Sequence, residues 1–316
     1  MRFLRSFILA LALCALCSPF VAGQSLRDSL QPSPLENGFS MPGYYLWCPS
    51  VIKVGDTYHM FATRWPAQYG MGGWTSYSEC VRATSKNLLG PYKFEEVVLQ
   101  KRSKEHWDNA RISNVRIVRV ADTYVLYYTG AAEQTGYAWS KSIIGPWTRC
   151  ESPVMKGGDP AILVRPDNSI YVMARSKDNR IIAFTAQTFD APYKPVSSDK
   201  NLFPSDTQLG EPCIWGTGRR INILISDLNG RVADIRNAVM QYYSKDGLKY
   251  TLVNGERVFT KQIQYDDGTT ETFARRECPF VYVNEKGEAI ALFTGAFPEK
   301  KGEARILAQP IKPYTP

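Results

Sequence analysis

The 316-residue chain has only two histidines, His59 and His106, and outside the apolar stretch near its start, which holds Cys14 and Cys17, it has no cysteine pair in a Cys-x-x-Cys spacing. Structural zinc sites are built from cysteine and histidine at such short spacings, so the usual kind of zinc site is excluded. We therefore predict no cofactor. A structural calcium ion held mainly through water would leave no recognisable motif, so that possibility stays open.

Long apolar runs are absent beyond the first residues. Arg2 and Arg5 precede an apolar stretch at residues 8–17, and the small residues Ala22 and Gly23 follow it. This pattern is typical of a signal peptide, which we place at residues 1–23. No later stretch reaches the roughly 18 apolar residues of a membrane span. The mature chain is therefore predicted to be secreted or periplasmic, with no membrane attachment after cleavage.

Basic runs are also absent, although the formal net charge is +8. An exported chain without a basic cluster is not expected to bind nucleic acid. The positive excess suits an acidic partner, such as a uronate or a sulfated glycan, or is simply a bias of the solvated surface. The sequence does not indicate an oligomeric state.

Helical periodicity is scarce, and an internal repeat takes its place. Five short apolar strands each begin beside a turn residue, and four of them have a proline next to it. The five turn residues are spaced 66, 45, 52 and 67 positions apart, at Cys48, Asn114, Asp159, Glu211 and Cys278. A turn and a second strand follow most of them, which is the pattern of propeller blades. We predict an all-β fold, a five-bladed β-propeller of antiparallel strands around a central axis, as a single domain over residues 24–316.

The first strand of each propeller blade lines the axis, so the five turn residues, called the axial positions below, should converge at one mouth. Trp47, next to the first axial position, and Trp107 are candidates to bind a substrate at this mouth through their aromatic rings. Cys48 and Cys278 would lie on neighbouring blades if the ring closes. A disulfide between them is our hypothesis, because it would suit an oxidising compartment.

The steps Asp159-Pro160 and Gly210-Glu211-Pro212, together with the five repeats, carry a family resemblance. From about Tyr44 to the C-terminus the chain resembles the five-bladed glycoside hydrolases grouped around family 43 and the related family 117. Those families carry a base Asp on the first blade, an Asp that tunes the acid, and an acid Glu. The resemblance implies that Glu211 is the acid and Asp159 the tuning carboxylate of an exo-acting hydrolase. The implied substrate is a plant or algal polysaccharide or oligosaccharide.

The first blade departs from the family pattern, because Cys48 stands where the base Asp is expected. A thiol cannot hold a water molecule for attack as a carboxylate does. Asp108, Glu277 and Asp159 itself are the candidate replacements for the base.

Three further residues are predicted to contact the substrate: Cys48, Asn114 and Arg276. Asn114 could hydrogen-bond a sugar hydroxyl, and Arg276 could clamp an acidic group. One alternative is a carbohydrate-binding propeller that has lost its first-blade base. Another is a lyase that uses a tyrosine or histidine with an arginine on an acidic sugar.

Overall fold

The computed structural model describes residues 25–196, 202–204, 206–216 and 220–314. The predicted signal peptide at residues 1–23 lies outside them. Within these ranges no helix is long and apolar enough to cross a membrane. The helices here are single turns: α1 (Trp74–Tyr77) and 3-10 turns at Leu26–Ser29, Ala67–Tyr69, Met71–Gly73 and Ala131–Glu133.

The strands form five antiparallel sheets that follow one another along the chain. Blade 1 contains β1 (Tyr44–Val54), β2 (Thr57–Pro66), β3 (Glu79–Ser85) and β4 (Lys93–Leu99). Blade 2 contains β5 (Ser113–Val120), β6 (Thr123–Thr129), β7 (Gln134–Ser140), β8 (Thr148–Arg149) and the short β9 (Met155–Lys156). Blade 3 contains β10 (Gly158–Val164), β11 (Ile170–Arg175), β12 (Ile181–Ala186) and β13 (Lys194–Pro195).

Blade 4 contains β14 (Leu209–Gly216), β15 (Ile221–Asp227), β16 (Ala238–Ser244) and β17 (Thr251–Arg257). Blade 5 contains β18 (Gln262–Gln264), β19 (Thr270–Val283), β20 (Ala289–Pro298) and β21 (Arg305–Tyr314). The predicted all-β, five-bladed propeller is therefore confirmed.

The inner strands β1, β5, β10, β14 and β19 each contact the inner strands of both neighbouring blades, and β19 contacts β1. The ring is thus closed. Buried apolar side chains fill the spaces between adjacent sheets, as where Phe61 of blade 1 packs with Leu126 of blade 2. These faces are apolar because a sheet in this arrangement has a neighbour on each side, and their burial is the main stabilising contribution.

Each inner strand carries a β-bulge at its axial position, where the register with the second strand shifts. The bulged residues all lie in the left-handed region, with φ between 50° and 54°: Cys48, Asn114, Asp159, Glu211 and Cys278. Left-handed backbone is uncommon outside glycine, and bulges re-aim side chains. The five positions recognised as equivalent in sequence are equivalent in conformation.

A disulfide joins Cys48 of blade 1 to Cys278 of blade 5, with the two Cα atoms 5.2 Å apart. The sequence hypothesis of this bond is confirmed. The remaining cysteines of the described ranges, Cys80, Cys150 and Cys213, are free thiols. The bond links positions 230 residues apart and fixes the first blade to the last.

Candidate active site

A cavity of about 160 Å³ opens at the end of the axis where the bulges lie. Its wall combines carboxylates, arginines and aromatic rings drawn from all five blades. The lining residues are Trp47, Thr63, Trp65, Met71, Trp74, Ser113, Asn114, Asp159, Arg175, Gly210, Glu211, Leu228 and Arg275. Three of the five axial positions, those other than the two cysteines, thus reach the cavity.

Glu211 is the carboxyl group with the most perturbed acidity in the cavity. Burial, followed by the negative charges of Glu277 and Asp159, raises the pKa of Glu211 to about 7. The backbone N–H of Cys278 donates to Glu211 Oε2 at 2.9 Å, and the hydroxyl of Ser226 lies 3.3 Å from the same oxygen. The N–H bond stabilises the ionised form and opposes the rise. A carboxyl group with this pKa keeps a large protonated fraction at neutral pH.

Asp159 is 7% exposed, and both of its carboxylate oxygens are engaged. The amide of Asn114 donates to Oδ1, and the guanidinium of Arg175 donates through Nε to Oδ2. The backbone N–H of Asp159 is held by Thr129 Oγ1 of the preceding blade at 3.0 Å. These contacts fix the orientation of the Asp159 side chain, which borders the cavity.

Arg175 was not among the residues that the sequence predicted, although it lines the cavity. Besides Asp159 it contacts the carboxylate of Glu133 at 3.3 Å. Glu133 also pairs with Arg111, and it lies in left-handed backbone with φ of 53°. A Cβ on Gly158 would meet Glu133 Oε2, so a larger residue there would displace the Glu133 carboxylate.

Glu277 lies behind Arg275 and does not itself border the cavity. Its carboxylate accepts two hydrogen bonds from Arg275, one from Nε at 3.0 Å and one from Nη2. Arg275 faces the cavity and lies over the Trp47 ring, 5.6 Å from its centroid. Glu277 therefore acts on the site mainly through its charge and through Arg275.

The aromatic wall comes from blade 1 and from the excursion between β2 and β3. Trp47 lines the cavity as predicted, and its ring lies against β20 at Gly295, where a Cβ would stand 2.6 Å from it. Trp65 Nε1 donates to the carbonyl of Gly70 at 2.9 Å, which holds the excursion over that ring. Trp74 follows on α1 and carries the Arg111 guanidinium 4.8 Å from its centroid. Flat apolar rings beside carboxylates are typical of sugar pockets.

The structure does not bring Asp108 or Trp107 to the cavity. Asp108 is completely buried, with its oxygens bound to Arg102 at 2.7 Å, Arg149 at 3.1 Å and the hydroxyl of Tyr128 at 2.9 Å. Trp107 stacks on Tyr128 with ring centroids 5.1 Å apart. The loop before β5 thus packs against β6 and β8 of blade 2, and neither residue lines the cavity.

Arg276 and Cys48 do not line the cavity either. Successive residues of a strand point to opposite faces, so Arg275 turns to the cavity and Arg276 to the blade interior. There Arg276 donates to Gln309 Oε1 at 2.7 Å and to the Gln262 carbonyl at 2.8 Å. Cys48 is 1% exposed and bonded to Cys278, while Asn114 Oδ1 lies 3.0 Å from its sulfur.

One sequence signal could have found Arg175. The second strand of each blade places one residue opposite the residue just before the bulge: Thr63, Thr129, Arg175, Ser226 and Gly295. Thr63 and Thr129 use their hydroxyls to hold the bulge N–H of the next blade, at 3.1 and 3.0 Å. The third position has a charged residue, Arg175, where the others have threonine, serine or glycine, and its side chain lines the cavity.

Below the cavity, residues of all five inner strands surround a small void of about 30 Å³ in the axial channel. Arg116 enters this channel and donates to the carbonyls of Pro49 at 3.1 Å and Pro279 at 3.4 Å. Burial lowers the pKa of Arg116, while Asp159 and Glu211 oppose that change. Within the described ranges, no three His, Cys, Asp or Glu side chains are grouped so as to hold a metal ion.

The chain matches no family model, and no curated protein matches it. Solved structures do match. A structure described as a glycoside hydrolase superposes with a TM-score of 0.67 at 14% identity, over 90% of this chain and 93% of that one. The family 117 glycoside hydrolase Zg3597 of the marine bacterium Zobellia galactanivorans superposes with a TM-score of 0.63 at 15% identity, over 90% of this chain and 89% of that one.

A thermostable family 43 glycoside hydrolase superposes with a TM-score of 0.60 at 13% identity, over 91% of this chain and 96% of that one. At these identities the similarity concerns architecture. The resemblance to five-bladed glycoside hydrolases, first suggested by the repeats and the two carboxylate steps, is thus confirmed at the level of the fold.

Proposed function

We propose that this chain is an exported glycoside hydrolase that removes terminal sugars from a plant or algal polysaccharide or oligosaccharide. The observation that carries the proposal is the pair of carboxyl groups at the cavity, Glu211 and Asp159, in one of which burial and neighbouring charge raise the pKa to about 7. Hydrolysis of a glycosidic bond needs one carboxyl group that donates a proton and one that accepts a proton from water.

Glu211 is the proton donor in this proposal. Its pKa of about 7 matches an acid that is protonated before the reaction and ionised after it. As the bond to the leaving group breaks, the proton passes from Glu211 to the leaving oxygen. The N–H of Cys278 then stabilises the carboxylate that remains.

Asp159 is the proposed base, and it also raises the pKa of Glu211. Within the described ranges it is the one carboxylate besides Glu211 that borders the cavity. Its two fixed hydrogen bonds, from Asn114 and Arg175, leave further lone pairs for water. Water would give its proton to Asp159 and its oxygen to the anomeric carbon.

The small volume of the cavity, about 160 Å³, supports an exo mode of action, because a small pocket accommodates one end of a glycan more readily than the middle of a chain. Trp47, Trp65 and Trp74 would stack on the terminal sugar, and Asn114 would bind a hydroxyl. The fold similarity to glycoside hydrolases supports the same conclusion without fixing the sugar.

A second candidate is a carbohydrate-binding propeller without catalysis. The disulfide at Cys48 favours it, because the position that holds the base in the similar families contains no carboxylate here. In this reading the cavity binds a sugar and releases it unchanged.

Chromatography of sugars released from a polysaccharide and oligosaccharide panel tests the proposal. Wild type should release a single small product, whereas Glu211→Gln should release none and Glu256→Gln, an exposed matched control, should behave as wild type. Glycan binding without release by wild type would overturn the hydrolase proposal and favour the binding protein.

A further inference from the structure

We propose that the Cys48–Cys278 disulfide is a positioning element for Glu211, holding the backbone N–H that binds its carboxyl group. The inference deepens the proposed function and depends on it for its effect on activity. Its structural part, that the bond fixes the surroundings of Glu211, can be tested without any substrate.

The first observation concerns the backbone N–H that donates a hydrogen bond to the carboxyl group of Glu211. At two other blade boundaries a threonine hydroxyl holds the bulge N–H of the next blade: Thr63 holds Asn114, and Thr129 holds Asp159. At the boundary between blades 4 and 5 the acceptor is instead the carboxyl group of Glu211, with Cys278 as the donor at 2.9 Å. The candidate acid therefore accepts one of the hydrogen bonds that join neighbouring blades.

The second observation is that the donor is held in unfavourable backbone. Cys278 has φ of 54°, a left-handed conformation that glycine and asparagine adopt far more readily than cysteine does. Cys48, its partner, has φ of 50°. Each side chain is fixed by the bond to the other, with Cα atoms 5.2 Å apart, so the bond opposes relaxation of either bulge.

The third observation is burial. Both cysteines are 1% exposed, and they lie in a cluster with Trp47 and Trp65, which line the cavity. The disulfide stands where similar hydrolases carry their base, yet it does not border the cavity itself. Its effect on a bound sugar must therefore be transmitted through Glu211 and the tryptophans.

Loss of the disulfide should change the pKa of Glu211 in one direction only. The Cys278 N–H stabilises ionised Glu211, so a displaced N–H raises the pKa of that carboxyl group above its present value of about 7. The other charged groups that act on Glu211 are Glu277 and Asp159, which raise its pKa, and Arg275, which lowers it, while Arg175 and the buried Arg116 interact with it from β11 and β5. None of these side chains is substituted in the disulfide variants.

The experiment compares wild type with the double variant Cys48→Ser/Cys278→Ser, and with Cys80→Ala as a control that removes a buried sulfur outside the cavity. The readout is the carbon NMR titration of Glu211, assigned by its loss in Glu211→Gln. We expect the midpoint to rise by about one pH unit in the double variant, the size of one hydrogen bond to a charged group, and to stay unchanged in the control.

A second pair of variants covers the case in which the serine variant does not fold. Cys48→Ala/Cys278→Gly keeps the N–H and tolerates φ of 54°, whereas Cys48→Ala/Cys278→Ala keeps the N–H but disfavours that backbone. We expect the glycine variant to titrate closer to wild type than the alanine variant. A purely structural disulfide would change the melting temperature of all these variants and leave the Glu211 midpoint where it is.

The outcomes separate this proposal from the proposed function. A folded double variant with a wild-type Glu211 midpoint overturns the positioning role, whatever its activity. A raised midpoint together with full activity of Glu211→Gln supports the positioning role and overturns the assignment of Glu211 as acid. A raised midpoint with a fall in kcat on the order of 10-fold, and an alkaline limb moved to higher pH, supports both.

Discussion

The two sides of the axial ring differ although they are built on the same bulge. On the side of blades 3 and 4 the bulged residues are Asp159 and Glu211, whose carboxyl groups face the cavity. On the side of blades 5 and 1 they are Cys278 and Cys48, whose side chains are buried and bonded to each other. The same bulge conformation thus places carboxyl groups in the cavity on one side of the ring and a disulfide between two blades on the other.

This difference teaches how a repeat fold divides its functions. The left-handed bulge points a side chain toward the axis in every blade, so the residue type decides whether the position reacts, binds or supports. Glu277, next to Cys278 in the sequence, is held behind Arg275. We therefore expect large catalytic effects from the carboxylate side and smaller, indirect effects from the disulfide side.

The largest expected effect is at Asp159. Asp159→Asn removes the proposed base while keeping the side-chain shape, so kcat should fall on the order of 1,000-fold. Added azide should restore part of the rate to Asp159→Ala, because the small anion can enter where the carboxylate was. If instead azide rescues Glu277→Ala and not Asp159→Ala, the base is on the side of blades 5 and 1. That result would contradict the assignment of catalysis to the side of blades 3 and 4.

Stability against pH tests the burial of Glu211. A side chain with a folded pKa of about 7 and an ordinary value of 4.5 stays protonated in the folded protein after the unfolded chain has ionised. Its contribution to stability is therefore complete below about pH 4.5 and is lost as pH rises through about 7, by about 3 kcal/mol. Denaturant unfolding should show this loss in wild type between pH 4 and pH 8.

Glu211→Gln should not show that loss, since it does not titrate. Glu256→Gln, at an exposed position, should lose stability with pH in parallel with wild type. Equal slopes for wild type and Glu211→Gln would mean that Glu211 has an ordinary pKa in the folded protein.

Glu277 should have a smaller effect, transmitted by charge. The negative charge of Glu277 raises the pKa of Glu211 more than the negative charge of Asp159 does. Glu277→Gln should therefore move the alkaline limb of kcat/KM to lower pH. At pH 7 the rate should fall on the order of 10-fold, because less of Glu211 is protonated. The disulfide variants are expected to move the same limb in the opposite direction.

Asp108→Asn is the matched control for that experiment. Asp108 is buried with two arginines outside the cavity, so its loss should lower the free energy of unfolding by about 3 kcal/mol and leave the alkaline limb in place. A shift of the alkaline limb of kcat/KM in Asp108→Asn would show that this limb responds to a general loss of stability of the propeller rather than to the charge near Glu211.

The smallest expected effect concerns the aromatic wall. A Cβ at position 295 would stand 2.6 Å from the Trp47 ring, so Gly295→Ala should displace that ring and raise KM about 3-fold with little change in kcat. Gly268→Ala is a control for the substitution itself, because no atom lies within 4 Å of its Cβ direction, although its φ of 85°, unlike the backbone of Gly295, adds strain of its own. A fall in kcat without a change in KM would contradict a binding role for Trp47.

The sequence predicted the fold and the axial positions because a five-fold repeat makes equivalent residues visible without any contact information. Cys48 and Cys278 could be paired in the same way, from ring closure. The surroundings of those positions were harder to predict. Asp108 and Trp107 are near an inner strand in sequence, but both contact Tyr128 of blade 2, away from the cavity. Arg175 pairs with Asp159 within blade 3, which the alignment of second strands could have indicated, whereas Glu133 of blade 2 reaches Arg175 only across the boundary between blades, which no local pattern encodes.

The most direct test of the central claim, proton donation by Glu211, compares two glycosides of the released sugar that differ in their leaving group. A nitrophenolate leaves without protonation, whereas an alcohol needs a proton from the acid. Glu211→Gln should cleave the nitrophenyl glycoside within about 10-fold of the wild-type rate and lose on the order of 1,000-fold on the alkyl glycoside. Equal losses on both substrates would contradict the account, because Glu211 would then serve binding or structure and the proton would come from another group.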